Sequence, residues 1–262
     1  MQLQINGNDV FVATGNRVPD PKKETVIFVH GTGQDHSIWV LPTRYFARHD
    51  RNVLAVDLPG HGRSGGPPLE SIEEIADWLI AVLDATGLER TAIVGHSLGS
   101  LAAIAAAAQH PQRVRAIALV ATTVPMPVSD YLLEKAKENS HEAIEMLNFW
   151  GFSKSAQLGG SATPGNWMLG HGLRLMEMAR PGVIYSDLKA CNEYLGGMEH
   201  AASVNCPALL VLGERDMLTP VRAALKVAEV LPHAGKVVLE GSGHALLAER
   251  PDSVLDQLIR VV

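Results

Sequence analysis

A serine between two glycines is the first group in the chain that could do chemistry. Gly95, Ser97 and Gly99 form a G-x-S-x-G pattern, which follows the apolar run 91–95 and precedes the alanine-rich segment 98–109. The pattern predicts a strand, a sharp turn that exposes the hydroxyl, and a helix. Bulky residues in place of the glycines would collide with the neighbouring strand and helix, and the helix N-terminus would place unpaired N–H groups beneath the hydroxyl. The pattern therefore indicates a nucleophilic serine.

A base and an acid that could activate this hydroxyl follow later apolar runs. A serine attacks a carbonyl only when a base takes its proton, and the chain has 11 histidines. His244 is chosen by position, since its glycine-containing turn comes directly after the last apolar run. Asp216 follows the run 208–213 and is predicted to orient the imidazole, as a nucleophile–base–acid set requires. Glu214 is the nearest competitor for that role, and helix capping is the alternative role for Asp216.

Two backbone N–H groups are expected to stabilise the negative oxygen that forms when a carbonyl is attacked. One is the N–H of Leu98, next to the serine. The other is expected from the turn after the run 25–30, where Gly31 and Gly33 flank Thr32. The two glycines let this backbone approach a substrate closely, so both are predicted to bind it. The Thr32 N–H is the first choice of donor and the Gly33 N–H is the alternative.

Short apolar runs without alternation predict the elements that position these groups, because parallel strands covered on both faces are apolar throughout. The six runs are residues 25–30, 52–57, 91–95, 114–121, 208–213 and 236–240. A weaker alternating pair near residues 3–5 and 10–13 predicts an antiparallel hairpin at the sheet edge. Helical patterns separate the runs, and Thr219 is expected to cap one of these helices. The fold class predicted is α/β, with a mostly parallel eight-stranded sheet flanked by helices.

The region between residues 125 and 204 interrupts this alternation. It has helical patterns at 131–149, 168–179 and 183–194 around a loose stretch at 159–165, and no convincing strand. We therefore predict a helical cap at 125–204, inserted after the sixth strand into a core domain of residues 1–124 and 205–262.

Adaptable apolar side chains are concentrated in the predicted cap. Six of the eight methionines fall there, and methionine fits irregular apolar shapes. Packing of the cap onto the core is the alternative role for any one of them. The residues predicted to line an apolar substrate pocket are Met126, Trp150, Trp167 and, near the first glycine-rich turn, Trp39.

Composition excludes several classes of protein. The chain has 262 residues, 47% of them hydrophobic, and a net charge of −6 without a basic run, which argues against nucleic acid and anionic membranes as partners. Cys191 and Cys206 are too few for a disulfide framework or a cysteine metal site. No leader pattern and no apolar run of about 18 residues is found. We expect a cytoplasmic protein that does not insert into a membrane; its oligomeric state is left open.

Taken in order, five segments of the chain resemble the α/β-hydrolase superfamily. They are HGTG, DLPGHGRS, GHSLG, GERD and GSGH, and the resemblance extends from about residue 26 to the C-terminus, apart from the predicted cap. It implies that Ser97 is the nucleophile, Asp216 the acid and His244 the base, with Thr32 and Leu98 as the oxyanion donors. The DLPGHGRS segment is expected to shape the rim of the site and to hold loops together.

The resemblance implies a hydrolase that cleaves a carboxylic ester or related acyl compound through an acyl-enzyme. A small molecule with an apolar part is the expected substrate, and neither a metal nor an organic cofactor is implied. Relatives such as haloalkane dehalogenases and epoxide hydrolases have aspartate where this chain has Ser97, so both activities are excluded. Lactonase, thioesterase and meta-cleavage-product C–C hydrolase activities stay open. A ligand receptor built on a hydrolase fold is the less favoured alternative.

Overall fold

Eight strands form one sheet in a computed structural model, which describes residues 1–161 and 165–262. The strands are β1 (Gln2–Ile5), β2 (Asn8–Ala13), β3 (Thr25–Val29), β4 (Asn52–Val56), β5 (Thr91–His96), β6 (Val114–Val120), β7 (Ala208–Gly213) and β8 (Ala234–Leu239). Their order across the sheet is β1-β2-β4-β3-β5-β6-β7-β8. The pairs β1–β2 and β2–β4 are antiparallel and all others are parallel, so the predicted fold class is confirmed.

Twelve α-helices are found in the described part of the chain. They are α1 (Val40–Arg48), α2 (Ile72–Thr86), α3 (Leu98–Gln109), α4 (Asp130–Lys137), α5 (His141–Gly151), α6 (Lys154–Gln157), α7 (Met168–Glu177), α8 (Val183–Glu193), α9 (Gly197–Ser203), α10 (Val221–Val230), α11 (Leu246–Glu249) and α12 (Pro251–Leu258). A short 3-10 helix, His36–Trp39, precedes α1. Among these helices, none is long and apolar enough to cross a membrane.

The sheet separates two apolar cores, which explains why its central strands lack alternation. In β3, Ile27 and Val29 pack into a core with α2, α3 and α10, while Val26 and Phe28 pack on the opposite face with α1 and α12. Every residue of β3, β4 and β5 is buried. Successive side chains of a strand point to opposite faces, so both sets must be apolar when helices cover both faces.

The connection from β6 to β7 contains α4 to α9 and, in its described residues, no strand. The expected helix at 131–149 is two helices, α4 and α5, because the chain turns at Asn139, whose φ is 54°. Leu132, Leu147 and Leu188 belong to a small apolar cluster between helices of this connection. The expected loose stretch at 159–165 includes residues 162–164, which lie outside the described residues.

Candidate active site

Ser97 occupies a strained turn between β5 and α3. Its φ is 52° and its ψ is −119°, a combination that L-amino acids rarely adopt. The flanking glycines make this turn possible. A methyl carbon added at Gly95 would lie 2.0 Å from the Gly99 carbonyl oxygen, and one at Gly99 would lie 2.4 Å from that of Val29. The physical reason given for the two glycines is therefore confirmed.

His244 and Asp216 form a buried hydrogen-bonded pair. The distance from His244 Nδ1 to Asp216 Oδ2 is 2.9 Å, and the two residues are 7% and 6% exposed. The Nδ1–H group of a neutral ring donates to the carboxylate, which leaves Nε2 as the nitrogen with a lone pair. Ser97 and His244 both line the same cavity. The competitor Glu214 is used elsewhere, since it accepts a hydrogen bond from the Gly241 N–H at 2.9 Å.

Thr219 is a member of this site that the sequence-based prediction missed. Its hydroxyl donates to Asp216 Oδ2 at 2.6 Å and lies 3.2 Å from His244 Nδ1. The expectation that Thr219 caps a helix is wrong, because α10 begins at Val221 and Pro220 occupies the capping position. The signal available in the sequence was the Asp-x-x-Thr spacing, which lets Asp216 Oδ1 accept the Thr219 N–H at 2.7 Å.

The surroundings of Asp216 favour its ionised form. Burial alone would raise the pKa of this carboxyl, but the His244 imidazole and the hydroxyl and N–H of Thr219 stabilise the negative charge. Together they hold the pKa of Asp216 below its ordinary value. The carboxylate can therefore stabilise a positively charged imidazole.

In the turn after β3, two backbone N–H groups are already used within the protein. The Gly31 N–H donates to Gln34 Oε1 at 3.1 Å, and the Gly33 N–H donates to Asp187 Oδ2 at 2.9 Å. The Thr32 N–H has no acceptor among the described residues, and Thr32 lines the cavity. Leu98 is the first residue of α3, where N–H groups have no intrahelical partner. Within the described part of the chain, the Thr32 and Leu98 N–H groups are thus left without a protein acceptor, whereas the Gly33 N–H already donates to Asp187.

Thr32, Ser97 and His244 line a largely apolar cavity of about 570 Å³. Of the residues predicted to bind substrate, Met126 and Trp150 line it. Gly31 and Gly33 are not among its lining residues and act within the turn instead. Further lining residues that the sequence did not single out include Asn148, His171, Leu175 and Leu188, and Cys191 also lines the cavity.

Two of the predicted tryptophans lie away from the cavity, so we do not retain them as substrate contacts. Trp39 has no exposed surface and stacks on Phe28 with ring centroids 5.1 Å apart, because the 3-10 helix turns it into the core. Trp167 is 71% exposed at the start of α7. Of the six methionines in the β6–β7 connection, Met126 and Met176 line the cavity.

His96 connects the loops around the site. Its Nε2 atom lies 3.1 Å from the His244 carbonyl oxygen, and its Nδ1 atom lies 3.1 Å from Gln34 Oε1. Burial and the neighbouring His244 lower the pKa of His96 to about 3, so the ring is neutral. It ties the loop of His244 to the turn after β3.

The DLPGHGRS segment holds loops together, as expected. Asp57 Oδ1 accepts the backbone N–H of His36 and also lies 2.7 Å from His36 Nδ1. Asp57 Oδ2 accepts the backbone N–H of Arg63. Ligand atoms of Asp35, His36 and Asp57 lie within 4.8 Å of one another, as metal ligands would. Because protein donors already occupy both Asp57 oxygens, we assign no metal to this cluster.

Comparison with known proteins places the chain in a family. The model of the alpha/beta hydrolase fold family matches residues 24–251, and the chain belongs to that family. It is 30% identical to a pimeloyl-[acyl-carrier protein] methyl ester esterase of Chromobacterium violaceum, over 90% of this chain and 91% of that protein. It is 22% identical to an (E)-2-((N-methylformamido)methylene)succinate hydrolase of Acinetobacter baylyi, over 96% and 94%. The enol-lactonase of Burkholderia xenovorans has the same fold, with a TM-score of 0.85, 20% identity, and coverage of 99% and 98%.

Proposed function

We propose that this protein is a serine hydrolase that cleaves a carboxylic ester or a related acyl compound with an apolar part. One observation carries the proposal. Ser97, on a strained turn, lines the same apolar cavity as His244. The Nδ1 atom of His244 is hydrogen-bonded to the ionised Asp216, which leaves Nε2 to act as the base. A nucleophile, a base and an orienting acid in this arrangement are what acyl transfer through serine requires.

The proposed reaction has two steps. Ser97 Oγ attacks the substrate carbonyl while His244 Nε2 takes the hydroxyl proton, and the Thr32 and Leu98 N–H groups stabilise the resulting oxyanion. The tetrahedral intermediate collapses, and His244 gives the proton to the leaving alcohol. Water, deprotonated by His244, then attacks the acyl-enzyme carbonyl, and His244 returns the proton to Ser97 Oγ as the Oγ–acyl bond breaks and the acid leaves. Asp216 holds the imidazole in the required tautomer and stabilises its charged form in both steps.

The helices between β6 and β7 are proposed to form a cap domain, residues 125–204, that closes the substrate chamber over a core of residues 1–124 and 205–262. Met126 and Trp150 form part of its wall. A cavity of about 570 Å³ has the size of typical small-molecule sites. The apolar wall supports a substrate whose acyl or alcohol part is a hydrocarbon.

One relative supports an ester as the substrate. The Chromobacterium violaceum relative is named for methyl ester hydrolysis and matches most of this chain. Lactones, thioesters and vinylogous diketones would use the same three residues, so they belong in the same test.

The test is hydrolysis of p-nitrophenyl esters from acetate to long acyl chains, with a lactone, a thioester and a vinylogous diketone alongside. We expect ester turnover with an optimum at a medium or long chain. Ser97→Ala is expected to lower kcat on the order of 10⁴-fold or more. Turnover that Ser97→Ala leaves intact would show that the triad assignment is wrong. Turnover of the diketone alone would replace the ester by a C–C bond as the scissile group.

A further inference from the structure

A buried carboxylate from the proposed cap contacts the turn that holds Thr32. Asp187 lies on α8, and its Oδ2 atom accepts the Gly33 N–H. The same oxygen lies 2.9 Å from His61 Nε2. Asp187 is 2% exposed and His61 is 3% exposed. The three groups come from α8, the turn after β3 and the loop after β4, so one carboxylate oxygen joins three segments.

Both ring nitrogens of His61 face oxygen atoms. Its Nδ1 lies 3.0 Å from the Pro59 carbonyl oxygen, and its Nε2 faces the Asp187 carboxylate. Burial lowers the pKa of His61, but the Asp187 carboxylate and the Pro59 carbonyl oxygen outweigh it and hold the pKa above its ordinary value, which favours the protonated ring. A protonated His61 ring compensates the burial of the Asp187 carboxylate, which it contacts through Nε2.

The same face of α8 makes two further contacts with the turn. A methyl carbon added at Gly33 would lie 3.0 Å from Ile184 Cγ1, and the Thr32 side chain contacts the Cys191 thiol. Ile184, Asp187 and Cys191 are spaced at i, i+3 and i+7, so they share one side of the helix. The turn therefore packs against α8 and is not shaped by the sheet alone.

We infer that Asp187 is a positioning residue, which sets the direction of the Thr32 N–H in the oxyanion hole through its hydrogen bond to Gly33. This inference rests on the proposed function. The peptide that contains the Thr32 N–H lies between two tethered peptides, one held by Gln34 and one by Asp187. With glycine on both sides, the turn has wide conformational freedom without these tethers. Oxyanion donors act only when they point at the developing charge, so Asp187 acts on the transition state without contacting substrate.

The experiment compares Asp187→Ala with Asp187→Asn, and uses Glu193→Ala as a control that removes an exposed carboxylate from the same helix. Active sites are counted with a fluorophosphonate, so that kcat refers to folded enzyme. A trifluoromethyl ketone serves as probe, because its adduct with serine is a tetrahedral oxyanion.

We expect Asp187→Ala to lower kcat per site and weaken ketone binding by the same factor, about 10- to 100-fold, which is below the 10²–10³ for loss of an entire donor. KM should change little. Asp187→Asn keeps an acceptor for the Gly33 N–H and should recover most of the loss, while Glu193→Ala should match the wild type. If Asp187→Ala does not fold, Asp187→Leu replaces it with the same expectation.

Unchanged kcat per site and unchanged ketone affinity in folded Asp187→Ala or Asp187→Leu would overturn the inference. In that case loss of activity in Ser97→Ala would still support the proposed function. Equal losses in the Ala and Asn variants would also overturn it, since the hydrogen bond to Gly33 could not then be the cause. If the wild type bound neither fluorophosphonate nor ketone, the proposed function would fail, and the inference with it.

Discussion

The backbone strain at Ser97 can be measured by removing its Cβ atom. With φ at 52° and ψ at −119°, the residue has a backbone conformation that glycine adopts readily and that is strained for residues with a Cβ atom. Ser97→Gly and Ser97→Ala both remove the hydroxyl, so their difference isolates the cost of a Cβ atom in this conformation. Nothing else in the turn changes, because the Ser97 N–H still donates to the Val120 carbonyl at 3.0 Å.

The expected difference has two parts of opposite sign. A non-glycine residue in a sparsely populated backbone region costs of order 1–3 kcal/mol. Glycine loses more conformational entropy on folding than alanine does, which offsets about 0.5–1 kcal/mol of this gain in stability. The difference is about 0–2.5 kcal/mol with a midpoint near 1 kcal/mol, so we expect Ser97→Gly to have a free energy of unfolding about 1 kcal/mol higher than Ser97→Ala and a Tm higher by roughly 2–4 °C.

Urea denaturation and thermal unfolding, both followed by circular dichroism, provide the assay. Ala108→Gly is the matched control: this position lies within α3, where glycine is expected to destabilise by about 1 kcal/mol. The sign of the effect should thus reverse between the turn and the helix. If Ser97→Ala proved as stable as Ser97→Gly or more so, the turn would not be strained.

Three further perturbations test the surroundings of the serine. Gly99→Ala places a methyl carbon 2.4 Å from the Val29 carbonyl oxygen and should lower the free energy of unfolding by more than about 4 kcal/mol, which would be seen as loss of folded protein. The control Gly196→Ala places its methyl carbon where no heavy atom lies within 4 Å and should fold normally. Asp216→Asn should lower kcat on the order of 10⁴-fold. Because the pKa of Asp216 is below its ordinary value, its charge stabilises the fold above about pH 4, and this stabilisation is lost as pH falls through the folded-state pKa. Urea denaturation should therefore show that the difference in free energy of unfolding between wild type and Asp216→Asn narrows below about pH 4. A difference that does not change with pH would contradict the assignment of Asp216 as a stabilising carboxylate. Thr219→Val removes a hydrogen bond to the carboxylate worth roughly 1.5–3 kcal/mol and should lower kcat about tenfold or more, with recovery in Thr219→Ser; equal kcat in the Val and Ser variants would contradict this role.

The sequence predicts those parts of the molecule that follow from local pattern. Strands β3 to β7 were identifiable because burial on both faces makes most of their residues apolar, apart from polar residues at strand ends and Arg115 in β6. Ser97, Asp216 and His244 were identifiable because each lies in the turn or loop that follows a strand. The carboxyl ends of parallel strands meet at one edge of the sheet, so groups placed there converge without any knowledge of the loops.

Contacts between distant segments were not predictable in this way. Trp39 follows the turn that holds Thr32, and its sequence position gives no sign that a 3-10 helix directs it into the core. The proline after Thr219 predicts a helix cap, yet the Thr219 hydroxyl donates a hydrogen bond to the Asp216 carboxylate three residues earlier. Asp187 is separated from Gly33 by 154 positions, and only the packing of α8 shows that they meet.

The most direct test of the central claim identifies the residue that becomes covalently modified. The protein is treated with a fluorophosphonate, digested, and mapped by mass spectrometry, with Ser97→Ala and His244→Ala treated in parallel. We predict that Ser97 alone is labelled in the wild type, that Ser97→Ala takes up no label, and that labelling of His244→Ala is slowed on the order of 10³-fold or more, because the hydroxyl has lost its base. A label on another residue, or full-rate labelling without His244, would contradict the assignment of Ser97 as a nucleophile activated by His244.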